Sequence, residues 1–126
     1  MNLIKFFLSV LVATIWISLS EFIRNEYLIK SYWTAHYQSM GLTFPSEPIN
    51  GAVWGVWSLM LAIAIFIIAK KFSLAATTFI SWLMAFVMMW VVIGNLHVLP
   101  LGILAYAIPL SLLETLGATW IVKKFS

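Results

Sequence analysis

Four long runs of the chain are dominated by apolar side chains: Leu3 to Ile23, Ile49 to Ala69, Leu74 to Ile93 and Leu101 to Val122. Each is close to the ~20 residues that cross a ~30 Å hydrocarbon core as a helix. Spanning segments of this kind are helical because lipid offers no partner for an open backbone N–H or C=O group. The pattern predicts spans at 3–24, 50–70, 73–94 and 100–122, separated by an outer segment at 25–49 and two short turns. The expected fold is all-α: an integral membrane four-helix bundle, one transmembrane domain over 1–126, with an amphipathic outer helical segment between the first and second spans.

That outer segment follows from its own periodicity. Ile29, Tyr32, Trp33, His36, Tyr37 and Met40 recur at i, i+3, i+4, i+7, i+8 and i+11, and Gly41 supplies a stop that tolerates the left-handed conformation. Beyond it, Pro45 and Pro48 predict an extended re-entry, with Asn50 capping the second span. Polar positions inside the spans also repeat. Thr14, Ser18, Glu21 and Asn25 form one narrow stripe on the first helix, which must face protein or water. In the second, Gly51, Gly55, Ser58, Ala62 and Ala69 form a small-residue face suited to close helix packing, either within the chain or between copies of it through Gly51 and Gly55.

Composition narrows the class. Of 126 residues, 63% are hydrophobic and 9% charged, against about 25% charged in soluble domains. The net charge of +3 does not point to nucleic acid, because the basic residues sit at span ends, where they orient helices instead. Lys5, Lys70, Lys71, Lys123 and Lys124 fall on one side of a four-span topology and Arg24 and Lys30 on the other. Both termini are therefore expected on the cytoplasmic side, of the inner or plasma membrane if the source is bacterial. Lys5, Phe6 to Ile17 and Ser18-Leu19-Ser20 imitate a signal peptide, but the apolar run continues through Phe22 and Ile23, and an uncleaved first span is expected. With no cysteine in the chain, thiolate nucleophiles and cysteine-ligated metals drop out.

The anomaly is Glu114, nine residues before Lys123 and so about 13 Å into the last span. A charged side chain at a span centre costs roughly 2.5–3.5 kcal/mol on insertion scales, which makes an intramembrane acid a functional candidate by default. Counting depth from each span end places Thr14 and Trp82 at its level, with Ser81 about a turn away, and finds no lysine or arginine there. The expectation is a neutral, protonated acid beneath a kink at Pro109, with small residues such as Gly117 leaving space beside it. Trp16, Trp82 and Trp90 lie deeper than an interfacial belt, and their indole N–H groups need acceptors. Ligand-binding candidates are thus Glu114, Ser81, Trp82, Thr14, Trp16, Ser18 and Trp90.

A second polar group gathers on the outer side: Glu21, Arg24, Asn25, Glu26, His36 and His97. Glu21 with Arg24 and Glu26 with Lys30 stand at helical ion-pair spacings. The histidine and carboxylate spacing matches no metal motif, and neither a metal nor a cofactor is expected. The expected partner is membrane lipid, with no nucleic acid. The leading function is an intramembrane pocket for a lipophilic small molecule or lipid, with Glu114 as its polar anchor. The alternatives are a small oligomeric proton-coupled transporter of a cationic substrate and a non-catalytic subunit or scaffold of a membrane complex. Catalysis is disfavoured, since no second acid is found at the depth of Glu114.

Overall fold

In the computed structural model, which describes residues 2–126, the chain is helical throughout apart from its connections. Helix α1 spans Leu3–Ile23 and runs on without a break into a π-helical turn, Arg24–Leu28. A short α2 follows at Lys30–Ser39, then α3 at Pro48–Ala69 and α4 at Leu74–Trp82. A second π-helical turn, Leu83–Val87, joins α4 to α5 (Met88–Asn95), and a 3₁₀ turn at Leu101–Ile103 leads into α6 (Leu104–Phe125). Counted with their π and 3₁₀ extensions, four helices are long and apolar enough to cross a membrane: Leu3–Leu28, Pro48–Ala69, Leu74–Asn95 and Leu101–Phe125. They support a membrane-embedded helical bundle.

The boundaries follow from local chemistry. The Asn2 side chain accepts from the Ile4 and Lys5 N–H groups at 2.9 and 3.2 Å, and Ser73 accepts from Ala76 at 3.1 Å, so α1 and α4 start on side-chain caps. Helix α3 begins at Pro48, two residues before the expected start. Asn50 sits inside its first turn and reaches back, accepting from the Glu47 N–H at 2.9 Å, so Glu47 and not Asn50 holds the N-cap position. Proline at the first helical position loses nothing, because that N–H has no intrahelical partner. Gly41 takes φ +75° just beyond α2, which only glycine adopts without strain. Helix α6 continues through Pro109.

Helix α1 packs against both α3 and α6, and α6 in turn packs against α3 and α4. Its buried seam runs Val10, Ala13, Ile17, Glu21, Arg24, at the three- and four-residue steps of one helix face. Ala13, Ala62 and Ala118 are wholly buried, and such small side chains let the helix backbones approach closely. The edge-to-face pair Phe6–Phe66 and the bond from Lys123 Nζ to the Ala69 carbonyl, 2.9 Å, tie the start of α1 and the ends of α3 and α6 together. This is the terminal end of the bundle. At the opposite, loop end, the same seam turns from apolar to ionic.

Candidate functional site

The ionic part of the seam is a three-residue cluster. Arg24 donates from Nη1 to Glu114 Oε1 at 2.8 Å and from Nη2 to Glu21 Oε1 at 2.7 Å, so one guanidinium bridges a carboxylate on its own helix and one on α6. All three side chains are buried, Glu114 to 1% exposure. Asn25 extends the cluster, donating to Glu21 Oε2 and to the Glu21 carbonyl at 3.0 Å, and its Oδ1 accepts from the Trp33 indole at 3.2 Å. The second expected pair, Lys30 with Glu26, forms at 2.9 Å but is part-exposed and stands apart.

The expectation that Glu114 lacks a basic partner is overturned. Two features bring Arg24 to it. The first span does not end at residue 24: the π-helical turn carries the helix on to Leu28, which makes Arg24 an interior, bundle-facing position instead of a frayed end. In addition, every helical side chain leans toward the N-terminus of its helix. Because α1 and α6 run antiparallel, Arg24 and Glu114 lean toward each other and close an axial offset that a count of Cα positions leaves open.

The other expected partners of Glu114 are placed differently. Thr14 Oγ1 donates to the Val10 carbonyl at 2.7 Å, within its own helix. The Trp82 indole donates to Ser111 Oγ at 2.8 Å. Ser18 is half-buried, two turns nearer the loop end than the buried Val10 and one turn below Phe22. Trp16 does reach Glu114, through the backbone: its indole N–H donates to the Glu114 carbonyl at 2.7 Å. The same ring fills the space expected beside the acid, since a Cβ placed on Gly117 would lie 2.6 Å from Trp16 Cε2. Gly117 is therefore the residue that lets α1 and α6 close around Trp16. Among the described residues, two buried side-chain atoms have no hydrogen-bond partner, Glu114 Oε2 and Ser81 Oγ. The Trp82–Ser111 bond is separately testable. Trp82→Phe should lower unfolding stability in mild detergent by about 0.6–2 kcal/mol, the range of interhelical hydrogen bonds in membrane proteins, and leave the helical circular dichroism unchanged.

The cluster has an aromatic surround. The Arg24 guanidinium lies 5.5 Å from the Phe86 ring centroid, within cation–π range, and Phe86 contacts Trp57 and Trp90 at 5.6 and 6.1 Å. Arg24 opens the first π-helical turn and Phe86 lies in the second. Wider turns of this type re-aim side chains and occur frequently at functional sites. Between these elements is a cavity of about 30 Å³ whose polar wall is Glu21, Arg24 and Asn25 and whose aromatic wall is Trp33, Trp54, Phe86 and Trp90. Glu21, Arg24 and Asn25 of the outer polar group and Glu114 are thus one connected system, joined through Arg24, while Glu26, His36 and His97 lie outside it.

His36 and His97 also meet, but at the surface. His36 Nε2 lies 2.8 Å from the His97 carbonyl oxygen, and His97 takes φ +63°, so the contact fastens α2 to the turn before α6. Among the described residues no three His, Asp or Glu side chains gather as a metal-ion group. The small-residue face of α3 divides: Ser58, Ala62 and Ala69 are buried in the bundle, whereas a Cβ on Gly51 or Gly55 would meet nothing within 4 Å. Gly55 lines an open apolar groove of about 490 Å³ between α1 and α3, away from the ionic cluster.

No known protein family matches the chain, and neither a curated protein nor a solved structure matches it.

Proposed function

We propose that the chain is a membrane-embedded binding protein for a lipophilic small molecule or lipid, received at the loop end. The observation that carries this reading is the lining of the cavity, one polar wall of Glu21, Arg24 and Asn25 and one aromatic wall, which at about 30 Å³ has to open before it admits more than a water molecule. Pockets that bind small molecules combine a mainly apolar lining with a few convergent polar groups. Glu114 anchors the site indirectly, by fixing the guanidinium from beneath. In this reading both termini are cytoplasmic, an orientation supported by the five lysines at or near the terminal end, and the open face at Gly51 and Gly55 is where a second copy would pack.

The test is native mass spectrometry of the protein purified in mild detergent, with extraction of whatever it retains. A defined lipophilic species should accompany the wild type. Trp33→Ala, which opens the cavity wall, should reduce its occupancy about tenfold or more, while Trp120→Ala, at an exposed position of the terminal end, should not. Full retention in the Trp33 variant would remove the site from this cavity. A wild type that carries nothing would favour the scaffold reading.

One observation favours a second reading, proton-coupled transport of a cation. Two carboxylates face a single guanidinium, so the cluster has one acidic group in excess. Under that reading Glu114→Gln abolishes uptake driven by a proton gradient, whereas under the binding reading it leaves ligand retention detectable.

A further inference from the structure

We infer that the molecule received at the Glu21–Arg24–Asn25 wall has a cationic head, an organic ammonium in chemical class, and that it is recognised by Glu21 together with the surrounding indole rings. The inference rests on the binding reading above and assigns its ligand class.

The cluster sets two acidic groups against one guanidinium in a setting shielded from water, so it is neutral only while one of the acids keeps its proton, and losing that proton leaves one negative charge without a partner. Uncompensated charge in low dielectric is costly, so an arriving cation gains where an anion would add to the imbalance. The aromatic wall points the same way. Indole and phenyl faces carry negative potential and attract cations, and cages of such rings are the standard means of holding a quaternary or primary ammonium. The site already holds one cation in this manner, Arg24 at 5.5 Å from the Phe86 ring. Trp33, Trp54 and Trp90 complete the wall. Below, Glu114 Oε2 is buried without a partner, so the carboxylate has capacity to retain Arg24 if Glu21 turns toward a ligand.

Room for an ammonium requires the cavity to grow beyond its present 30 Å³, and the covering element suits that role. Helix α2 contributes Trp33 to the cavity, yet none of its own residues, Lys30–Ser39, is buried. It is held by the Trp33–Asn25 bond, the contact of His36 with the His97 carbonyl, the aromatic contacts of Tyr32 with Tyr106 and of Trp33 and Tyr37 with Phe44, and the packing of Trp33 on the cluster of Ile29, Leu99 and Ile103. An element with few buried contacts is drawn from the low-stability end of a fold and opens at modest cost.

The experiment compares three probes of similar shape against the intact, detergent-purified chain, read by tryptophan fluorescence and by calorimetry: benzyltrimethylammonium, its uncharged isostere neopentylbenzene, and benzenesulfonate. The ammonium should bind saturably and at least about tenfold tighter than neopentylbenzene, with no saturable binding of the sulfonate. Glu21→Gln should weaken the ammonium about tenfold and leave neopentylbenzene unchanged, and Glu26→Gln, outside the cavity, should alter neither. Should Glu21→Gln fail to fold, Trp33→Phe serves in its place, with a smaller loss confined to the ammonium. Equal binding of the ammonium and neopentylbenzene overturns the cation assignment and leaves the binding reading standing, as does preferential binding of the sulfonate. Failure of all three probes to bind saturably overturns both.

Discussion

Arg24→Gln is expected to be the most damaging single substitution in the chain, lowering unfolding stability by about 3–5 kcal/mol, the usual cost of removing one member of a buried ion pair. Much of that loss lies in what is left behind. Glu21 and Glu114 both remain buried, and each loses the donor that satisfies its Oε1. Arg24→Lys should recover only part of it, because an ammonium is a single point of charge and lacks the two separate, fixed nitrogens with which the guanidinium reaches carboxylates on two different helices. Glu114→Gln should cost less than Arg24→Gln, since Glu21 still holds the guanidinium and a neutral amide can still accept through its oxygen. Equilibrium unfolding of the three variants in mixed detergent micelles gives the order directly: Arg24→Gln least stable, Arg24→Lys intermediate, Glu114→Gln nearest the wild type.

Gly117→Ala should have the second-largest effect, although alanine is the better helix former by about 1 kcal/mol. The added methyl would lie 2.6–2.7 Å from three atoms of the Trp16 indole, including Nε1. Trp16 cannot yield without giving up its 2.7 Å bond to the Glu114 carbonyl, and the ring lies where α1 and α6 pack together. The expected outcome is a loss of about 1–3 kcal/mol, typical of overpacking, accompanied by a change in tryptophan emission as the indole loses its acceptor. Combining it with Trp16→Leu should restore part of the loss, because a smaller, flexible side chain leaves room for the methyl. A Gly117→Ala protein as stable as wild type, with unaltered emission, would show that the helices do not meet there.

The two predictions draw on different kinds of information in the sequence. Four apolar runs near twenty residues specify the four long helices almost unaided, because length and hydropathy are additive along a chain. Glu114 was equally legible, as an acid inside such a run. What counting could not supply was side-chain reach. Depth measured along Cα positions put Arg24 beyond Glu114, while the lean of both side chains between antiparallel helices, and the π-helical turn that keeps Arg24 within the span, bring them to 2.8 Å. The signal was present in the spacing of the first span, where Glu21 and Arg24 extend the buried steps of Val10, Ala13 and Ile17. A charged pair that continues a core seam faces the core.

The sequence sets Gly117 beside Glu114, but a small residue reads the same whether it borders a void or accommodates a large neighbour. Only the placement of Trp16 decides between them, and that is a property of two helices together. Similarly, no periodicity marks Trp33 and Trp54 as walls of a cavity. Both line one cavity because the turn after α1 folds α2 across the loop end. The cap on α3 shows the same limit at short range: Asn50 was visible as a capping residue, but its position depends on Pro48 starting the helix.

Arg24 joins α1 to α6 through Glu114, and a double-mutant cycle measures that link most directly. Stability of wild type, Arg24→Gln, Glu114→Gln and the double variant would be determined in the same micelles. The predicted result is strong non-additivity, with a coupling energy of about 1–3 kcal/mol and a double variant no less stable than Arg24→Gln alone. Simple additivity of the two single losses, within about 0.3–0.5 kcal/mol, would mean that the two residues do not interact and would contradict the site described here.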